Sequence, residues 1–232
     1  MINCLLFDIG DTIINNLGFD FKEGLKIAYE HLTIKNILFD SFIKDGYELL
    51  DKMYKTRKID NIEIKYTDYL KTLILKYNNT YDISLDELEL LIYKNVVTDS
   101  KILEVYDVLE YCKSKNIKMY IFSNSTFSSQ CLKWTLKEFG LIEYFIDVFS
   151  SSDIGYRKPI KAFYEATNID IELDKTIFIG NDNYFDGNFA RNIGVKFGWY
   201  NRKCKENNLK LATFEFKNYK EFKENLEQNY DR

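Results

Sequence analysis

Several acids of this chain and one hydroxyl stand close behind short apolar runs, and a lysine directly precedes the single proline. They are, in chain order, Asp8, Ser123, Lys158, Asp182 and Asp186. Carboxylates held within a few ångströms repel one another, which raises the pKa of at least one of them unless a cation is present. Oxygen ligands with open coordination positions suit Mg²⁺. These residue types therefore predict a magnesium site that attracts an anionic substrate.

A bound cation would also let a carboxylate approach phosphorus despite the negative charge on both groups. Asp8 would then form an aspartyl phosphate, which water hydrolyses. Ser123 and free backbone amides would hold the phosphoryl oxygens, and Lys158 would offset charge in the transition state. We therefore expect Asp8, Ser123 and Lys158 to be the catalytic residues of phosphoryl transfer to water.

Such a site needs a sheet to bring its members together, and short apolar runs indicate one. The runs are 2–7, 117–122, 176–180 and 195–199. Apolar side chains on consecutive positions are typical of parallel strands covered on both faces. Helical patterns alternate with these runs at 100–115, 128–139, 159–168 and 184–193. The alternation predicts a doubly wound α/β core, whose chemistry lies at the carboxyl ends of the strands.

The segment from residue 15 to 96 has a different texture, with one amphipathic helical pattern after another. These patterns cover 20–32, 41–56, 62–77 and 84–95. The last opens with Ser84 and Glu87, which have the spacing of a capping box. We predict a Rossmann-like core from residues 1–14 and 97–232, with residues 15–96 inserted as a helical cap.

Lys158 precedes Pro159, the only proline of the chain. Proline favours the first turn of a helix, so this pair predicts Lys158 at the amino end of the helix over 159–168. Free amides at such an end attract anions.

The composition excludes several classes of protein. The chain has 232 residues, is 46% hydrophobic and 29% charged, and carries a net charge of −4. That balance argues against nucleic-acid or membrane partners, and no stretch approaches the roughly 18 apolar residues of a membrane span. The cysteines are far apart, which is typical of reduced thiols. We expect a cytoplasmic protein without a signal peptide.

The order of the polar residues resembles the four motifs of the haloacid dehalogenase (HAD)-like hydrolases. Asp8, Ser123 and Lys158 are similar to the first three motifs, and "GYRKP" surrounds the third at 155–159. "GNDNYFDGNFARNIG" at 180–194 is similar to the fourth motif and its tail. The helical insert resembles the cap that closes over small substrates in many of these enzymes.

The resemblance implies a Mg²⁺-dependent phosphatase that acts on a small phosphorylated metabolite. It implies Asp8 as the nucleophile and a cation held by acids of the last motif and the Gly10 carbonyl. The candidate phosphate-binding residues are Asp11, Thr12, Ser123, Asn124 and Lys158. The candidate metal ligands are Asp8, Gly10, Asn181, Asp182 and Asp186.

Two positions depart from the family pattern. Gly10 stands where phosphatases of the family carry an aspartate that protonates the leaving alcohol. Such an acid-base group raises the reaction rate roughly 10²- to 10⁴-fold. A good leaving group, the substrate, or a cap residue that donates the proton would reduce the loss. Asn181 stands where the last motif has its first acid. Because Asn lacks the charge, we expect weaker Mg²⁺ binding.

Alternative functions remain open at this point. One alternative is a catalytically weak relative that binds a phosphorylated ligand or a protein partner. Another is a dehalogenase in which Asp8 attacks carbon without a metal. The retained Lys158, Asp182 and Asp186 favour phosphate chemistry. The basic stretch 55–58 is either a solvated helix face or a cap segment that reaches the substrate, and His31 is expected to be structural.

Overall fold

The computed structural model describes residues 1–60 and 62–229, with the side chains of 58–60 and 229 outside the description. The strands are β1 (Cys4–Phe7), β2 (Ile14–Phe19), β3 (Val97–Lys101), β4 (Lys118–Ser123), β5 (Asp147–Ser150), β6 (Thr176–Gly180), β7 (Lys196–Tyr200) and β8 (Phe214–Phe216). The helices are α1 (Phe21–Glu30), α2 (Phe39–Asp60), α3 (Tyr66–Leu75), α4 (Leu85–Val96), α5 (Val105–Ser114), α6 (Ser129–Glu138), α7 (Ser151–Ile154), α8 (Ala162–Glu165), α9 (Phe185–Ile193) and α10 (Tyr219–Asn229).

A parallel sheet with the order β5-β4-β1-β6-β7-β8 forms the centre of the fold. Both faces of the sheet are covered. Because side chains alternate along each strand, neighbouring residues of one strand pack on opposite faces. Leu5 and Phe7 pack into one apolar cluster with residues of α5, α6 and α10. Leu6 and Phe178 belong to the cluster on the opposite face, with residues of α8 and α9. The doubly wound α/β fold predicted from the apolar runs is confirmed.

Strand β1 lies between β4 and β6, and its register with both is regular. Phe7 pairs with Ile121 of β4 and with Ile179 of β6. The chain therefore leaves β1, β4 and β6 at the same edge of the sheet. A crevice at such an edge is where open α/β sheets bind ligands.

Helices α1 to α4 lie between β2 and β3 in the chain and have an apolar cluster of their own. Leu25, Leu70 and Ile92 are fully buried in this cluster, together with Phe127 and Cys131, which follow β4. Ser84 accepts a hydrogen bond from the backbone N–H of Glu87, whose side chain accepts from Ser84, so the predicted capping box is present. The helical insert thus packs against the sheet-bearing layer, and its boundaries at residues 15 and 96 stay a prediction.

The prediction of helical texture from residue 15 onward is wrong at its start. Residues Ile14–Phe19 form β2, which pairs antiparallel with β3, and helix α5 begins at Val105 rather than at residue 100. Phe19 pairs with Val97 across the whole helical insert. A strand pair that is separated in this way and contains few apolar residues has no local signal in the sequence.

The predicted helix over 159–168 is also wrong at its start. Lys158 and Pro159 are joined by a cis peptide bond in a turn, and α8 begins only at Ala162. The side chain of Asn124 bonds both the backbone N–H and the carbonyl of Lys158 at 2.7 and 3.1 Å, which holds this segment outside a helix. Strands β5 and β8 have no counterpart among the predicted elements, because short edge strands have too few residues to show a period. Helix α10 has no predicted counterpart either.

A buried carboxylate joins the helical insert to the sheet layer. Glu63 accepts hydrogen bonds from Ser151 at 2.7 Å and Arg57 at 3.0 Å, and its backbone N–H donates to Gly155. Ile62 forms an isolated β-bridge with the residue after Gly155. In the described ranges, no helix combines the length and apolar character that crossing a bilayer requires.

Candidate active site

Asp8 lies immediately after β1 and is held by groups from three parts of the chain. Its backbone N–H donates to the carbonyl of Ile179 at 2.8 Å, which continues the sheet ladder past the end of the strand. One carboxylate oxygen, Oδ1, lies 2.6 Å from Lys158 Nζ. The other oxygen, Oδ2, accepts a hydrogen bond from Thr12 at 3.2 Å. Hydrogen-bond donors therefore fix both oxygens of the Asp8 carboxylate.

Lys158 is almost completely buried and joins two carboxylates. Its Nζ lies 2.6 Å from Asp8 and 2.7 Å from Asp186. Burial acts to lower the pKa of Lys158, but the charges of Asp186 and Asp8 outweigh it and raise the pKa above its usual value. The ammonium group is therefore charged at neutral pH, as a group that offsets phosphoryl charge must be.

Asp186 lies in the first turn of α9, and its carboxylate is buried against the end of β6. Oδ2 accepts a hydrogen bond from the backbone N–H of Asp182 at 2.9 Å. A Cβ on Gly180 would lie 2.3 Å from the same oxygen, so only glycine fits at the end of β6. Burial, reinforced by the charge of Asp8, raises the pKa of Asp186 even though Lys158 acts in the opposite direction.

The two residues of the last motif that follow Gly180, Asn181 and Asp182, make hydrogen bonds outside the cluster of Asp8, Lys158 and Asp186. Asp182 Oδ1 accepts hydrogen bonds from the backbone N–H groups of Tyr184 and Phe185 at 2.9 and 2.8 Å. This carboxylate oxygen therefore satisfies free amides at the start of α9. The carbonyl of Asn181 accepts a hydrogen bond from the indole of Trp199. Of the two acids of the fourth motif, Asp186 thus belongs to the buried cluster, whereas Asp182 binds backbone N–H groups at the start of α9.

Three candidate phosphate ligands have partners within the protein. Thr12 donates to Asp8, and Asn124 holds the backbone of Lys158, so both position other members of the site. Asp11 has a positive φ of 53° and lies 3.7 Å from Lys203 and 4.0 Å from Arg202. The structure therefore places Asp11 beside a basic pair and away from Lys158.

Ser123 is the last residue of β4 and is 4% exposed. Its hydroxyl has no hydrogen-bond partner among the residues that the structure describes. The side chain lines the same cleft as Asp8. A hydroxyl in this position is free to donate to an oxygen of a bound anion.

A cleft of about 560 Å³ opens over Asp8 between the sheet edge and the helical insert. Gly10 and residues 123–127 line it from the sheet layer. Six aromatic residues of the insert and its connecting strand also line it: Phe19, Phe21, Tyr54, Tyr66, Tyr69 and Tyr93. This volume lies within the range of small-molecule sites, which combine apolar walls with a few polar groups.

The basic stretch at 55–58 is divided between solvent and cleft. Lys55 is exposed and lies 2.5 Å from Asp51, one turn earlier on α2. Arg57 lines the cleft, lies over the ring of Tyr54 and donates to Glu63. The side chain of residue 58 lies outside the described residues.

Sequence reasoning missed two residues that shape the site. Tyr219 of α10 donates to the carbonyl of Thr12 at 2.6 Å from more than 200 positions away, and it is fully buried. Asp99 of β3 lines the cleft and has no hydrogen-bond or ion-pair partner in the described part of the chain. Neither residue has a local signal, because each meets the site only through tertiary packing.

The donor set can be compared with what Mg²⁺ requires. Asp8 and Asp186 carry two buried carboxylates against the single charge of Lys158, which leaves an excess of negative charge. Within the described residues, no cluster of three acidic, histidine or cysteine side chains is placed to hold a metal. Mg²⁺ is usually bound through one or two carboxylates, waters and substrate phosphate, so this pair of acids fits it.

A Rossmann-like sheet with a strand-end aspartate, a buried lysine and a later aspartate defines a class of hydrolases. The family model described as haloacid dehalogenase-like hydrolase matches residues 5–200. The match covers most of the chain. The chain belongs to the HAD-like hydrolase family, which confirms the resemblance seen in its motifs.

Two curated proteins are similar in sequence, one over about half of the chain and the other over most of it. Pyrimidine 5′-nucleotidase PynA of Streptococcus pneumoniae is 28% identical over 128 residues, which cover 53% of each chain. YfnB of Bacillus subtilis, a HAD-hydrolase by name, is 24% identical over 213 residues, 88% of this chain and 86% of that protein. The chain therefore matches about half the length of the first relative.

Solved structures of several HAD proteins share the fold. A HAD phosphatase from Thermococcus onnurineus has a TM-score of 0.62 at 20% identity, with 97% of this chain and 98% of that chain covered. A magnesium-bound YfnB has a TM-score of 0.56 at 19% identity and the same coverage. A 2-haloacid dehalogenase from Pseudomonas syringae reaches 0.60 at 18%, over 98% and 99%. At these identities the likeness concerns the fold alone.

Proposed function

We propose that this HAD-like hydrolase is a Mg²⁺-dependent phosphatase of small phosphorylated metabolites. The observation that carries the proposal is the buried cluster of Asp8, Lys158 and Asp186, of which Asp8 lines the cleft. The nucleotidase named above, which acts on a phosphate ester, supports this reaction class over carbon chemistry.

In the proposed reaction a carboxylate oxygen of Asp8 attacks phosphorus, and the bond from phosphorus to the leaving oxygen breaks. The contacts of Thr12 and Lys158 with the two oxygens of Asp8 support this step, because they fix the carboxylate before substrate binds. The leaving oxygen takes up a proton from solvent. Water then attacks phosphorus of the aspartyl phosphate and loses a proton to solvent, and the bond between phosphorus and the Asp8 oxygen breaks, which releases phosphate and restores Asp8.

Ser123 and Lys158 hold the phosphoryl group in this proposal. The free hydroxyl of Ser123 donates to a phosphoryl oxygen from the end of β4. The ammonium of Lys158 offsets negative charge that grows on the equatorial oxygens in the transition state. Asn124 keeps Lys158 at the cleft through its two backbone hydrogen bonds.

We assign Mg²⁺ to Asp8, the Gly10 carbonyl and Asp186, with Asn181 and Asp182 as further candidates. The excess of buried carboxylate supports this assignment, and so does the raised pKa of Asp186. When bound, the ion would neutralise the carboxylates and draw charge from the phosphoryl oxygens. The capping contacts of Asp182 and the uncharged side chain of Asn181 make Asp8 and Asp186 the main ligands.

Dehalogenation is a second candidate, and one feature favours it. A halide leaves without a proton, so the reaction tolerates glycine at position 10. That glycine is not imposed by space, because a Cβ there would meet no atom within 4 Å. The buried pair of acids around Lys158 favours phosphate, since halide release needs no cation.

Release of inorganic phosphate from a panel of phosphomonoesters tests the proposal, with Mg²⁺ or with EDTA. We expect turnover with Mg²⁺ and loss of turnover in EDTA and in Asp8→Asn. Release of chloride from 2-chloropropionate under the same conditions is the matched assay for the second candidate. Turnover of phosphomonoesters that survives in Asp8→Asn would contradict the role of the nucleophile, and chloride release alone would replace the proposed reaction.

A further inference from the structure

Asp99 is a partly buried carboxylate that faces the cleft with no partner in the described part of the chain. It lies on β3, where it pairs with Asn16 of β2. Successive side chains of a strand point to opposite faces. Val97 and Asp99 both line the cleft, whereas Thr98 between them is exposed. The strand therefore directs the carboxylate into the cleft.

Nothing in the described protein compensates this charge. Burial raises the pKa of Asp99 to about 6, and no neighbouring carboxylate contributes to that rise. The charge of Asp99 is thus separate from the cluster around Asp8. A partly buried carboxylate without a donor destabilises the protein, and a hydrogen-bond donor on a ligand offsets that effect.

An aromatic surface lies beside Asp99. Phe19 pairs with Val97, two residues before Asp99, and its side chain is 38% exposed although it is large and apolar. Its ring lies 5.5 Å from that of Phe127 and 6.2 Å from that of Tyr66. Exposed aromatic faces in a cleft bind planar rings by offset or edge-to-face contact. The acceptor and the aromatic surface thus lie on the same wall.

We propose that Asp99 is a specificity-determining residue that accepts a hydrogen bond from an N–H group of a planar ring in the substrate's leaving group. The ring packs against Phe19 and Phe127 while the phosphate lies at Asp8. This inference rests on the proposed phosphatase function and narrows its substrates to esters with an N–H-bearing heterocycle, as in a nucleoside monophosphate. The cleft of about 560 Å³ has room for such a molecule.

Methylation of the ring nitrogen tests the contact directly. The substrates are uridine and guanosine 5′-monophosphates, with their N3-methyl and N1-methyl derivatives, which keep the same leaving oxygen but lack the N–H. We expect the protein to prefer at least one unmethylated form by about 10- to 100-fold, mainly through KM, as for a hydrogen bond to a charged group. Asp99→Leu should abolish this preference, and Asp99→Asn, which retains an acceptor oxygen, should keep part of it.

Two controls separate recognition from other effects. Asp107→Leu changes an exposed aspartate of α5 outside the cleft and should keep the wild-type preference. Ribose 5-phosphate has no ring of this kind, so its KM should be the same in wild type and Asp99→Leu. An equal loss on all substrates in Asp99→Leu would instead show a structural or proton-transfer role and would overturn the inference.

Binding of nucleosides to Asp8→Asn, measured by calorimetry, separates this inference from the proposed function. If no phosphate is released from any ester, the proposed function fails, and the binding data alone decide the inference. If methylation weakens the binding of uridine or guanosine by the same factor of about 10- to 100-fold, the inference is supported. Absence of nucleoside binding, or binding that methylation and Asp99→Leu leave unchanged, overturns it while phosphatase activity on other esters stands.

Discussion

At the scale of single residues, the central feature is one buried ammonium group between two buried carboxylates. Lys158 is 1% exposed and Asp186 is also 1% exposed, so neither charge is solvated by bulk water. Buried ion pairs contribute little beyond the desolvation they must overcome, but removal of one partner leaves a charge unpaired. The cluster is therefore sensitive to the removal of any one of its three charges.

Lys158→Met should destabilise the protein by about 3–5 kcal/mol at pH 7, because it leaves both carboxylates buried without a cation. Urea denaturation measures this change. Lys161→Met is the matched control: Lys161 pairs with Glu165 at 3.0 Å on an exposed surface, and such pairs contribute about 0–1 kcal/mol. Equal small losses in the two variants would contradict the buried cluster.

Asp99→Asn should stabilise the protein at pH 8 and leave its stability unchanged at pH 4. The pKa of Asp99 is raised from 3.8 to about 6, so the native state binds this proton more tightly than the unfolded state. Stability linked to this group is present below pH 4 and is lost as pH rises through 6. After allowance for solvent screening we expect about 1 kcal/mol at pH 8. Thermal unfolding of both proteins across this range measures it, and a destabilised Asn variant at pH 8 would contradict the unpaired carboxylate.

At the scale of elements, the carboxyl ends of β1, β4 and β6 bring distant residues to one place. Asp8, Ser123 and Gly180 end these three strands or follow them directly. The parallel register makes this juxtaposition independent of the connecting segments, which explains how a long helical insert is accommodated between β1 and β4. Helix α9, which follows β6, then adds Asp186 from its first turn.

Asp182→Ala should destabilise α9 by about 1 kcal/mol, since it removes the acceptor for two backbone N–H groups at the start of the helix. Chemical denaturation measures the loss. Asp174→Ala, at an exposed 3₁₀ turn before β6, is the control and should change stability by less than about 0.5 kcal/mol. If the two variants lose the same stability, Asp182 has no capping role.

The central strands and the order of the motif residues could be predicted because both are local. Consecutive apolar positions mark β1, β4, β6 and β7, and Asp8, Ser123 and Asp182 lie at or just after the ends of the first three. The partners of these acids could not be predicted. Asn124 has the residue type of a phosphate ligand, yet its amide is used on the backbone of Lys158. The cleft-facing position of Asp99 depends on pairing with Asn16 across the insert, which no local pattern encodes.

At the scale of the whole molecule, buried carboxylates of the helical insert contact the sheet layer at two places. Glu63 contacts Ser151 at one, and Glu89 of α4 accepts hydrogen bonds from Ser128 at the other. Glu63 also lies 3.8 Å from Arg157, the neighbour of Lys158. The position of the insert is therefore connected to the segment that carries Lys158, the lysine of the proposed site.

Glu63→Ala should loosen this junction and destabilise the protein by about 2 kcal/mol, because Arg57 and Ser151 lose a buried acceptor. The backbone N–H of residue 63 donates to the carbonyl of Gly155, and its hydrogen exchange should accelerate in the variant. Glu48→Ala removes an exposed pair with Lys44 on α2 and is the control. Unchanged exchange and stability in Glu63→Ala would show that the insert is held elsewhere.

The central claim is that a phosphoryl group bonds covalently to Asp8. Rapid quenching during turnover with Mg²⁺, followed by borohydride reduction and peptide mass spectrometry, tests it most directly, because borohydride reduces an acyl phosphate and leaves a free carboxylate intact. We predict reduction of Asp8 to homoserine only when a hydrolysed phosphomonoester is present. Steady phosphate release with Asp8 unmodified, or with another acid reduced, would contradict the account.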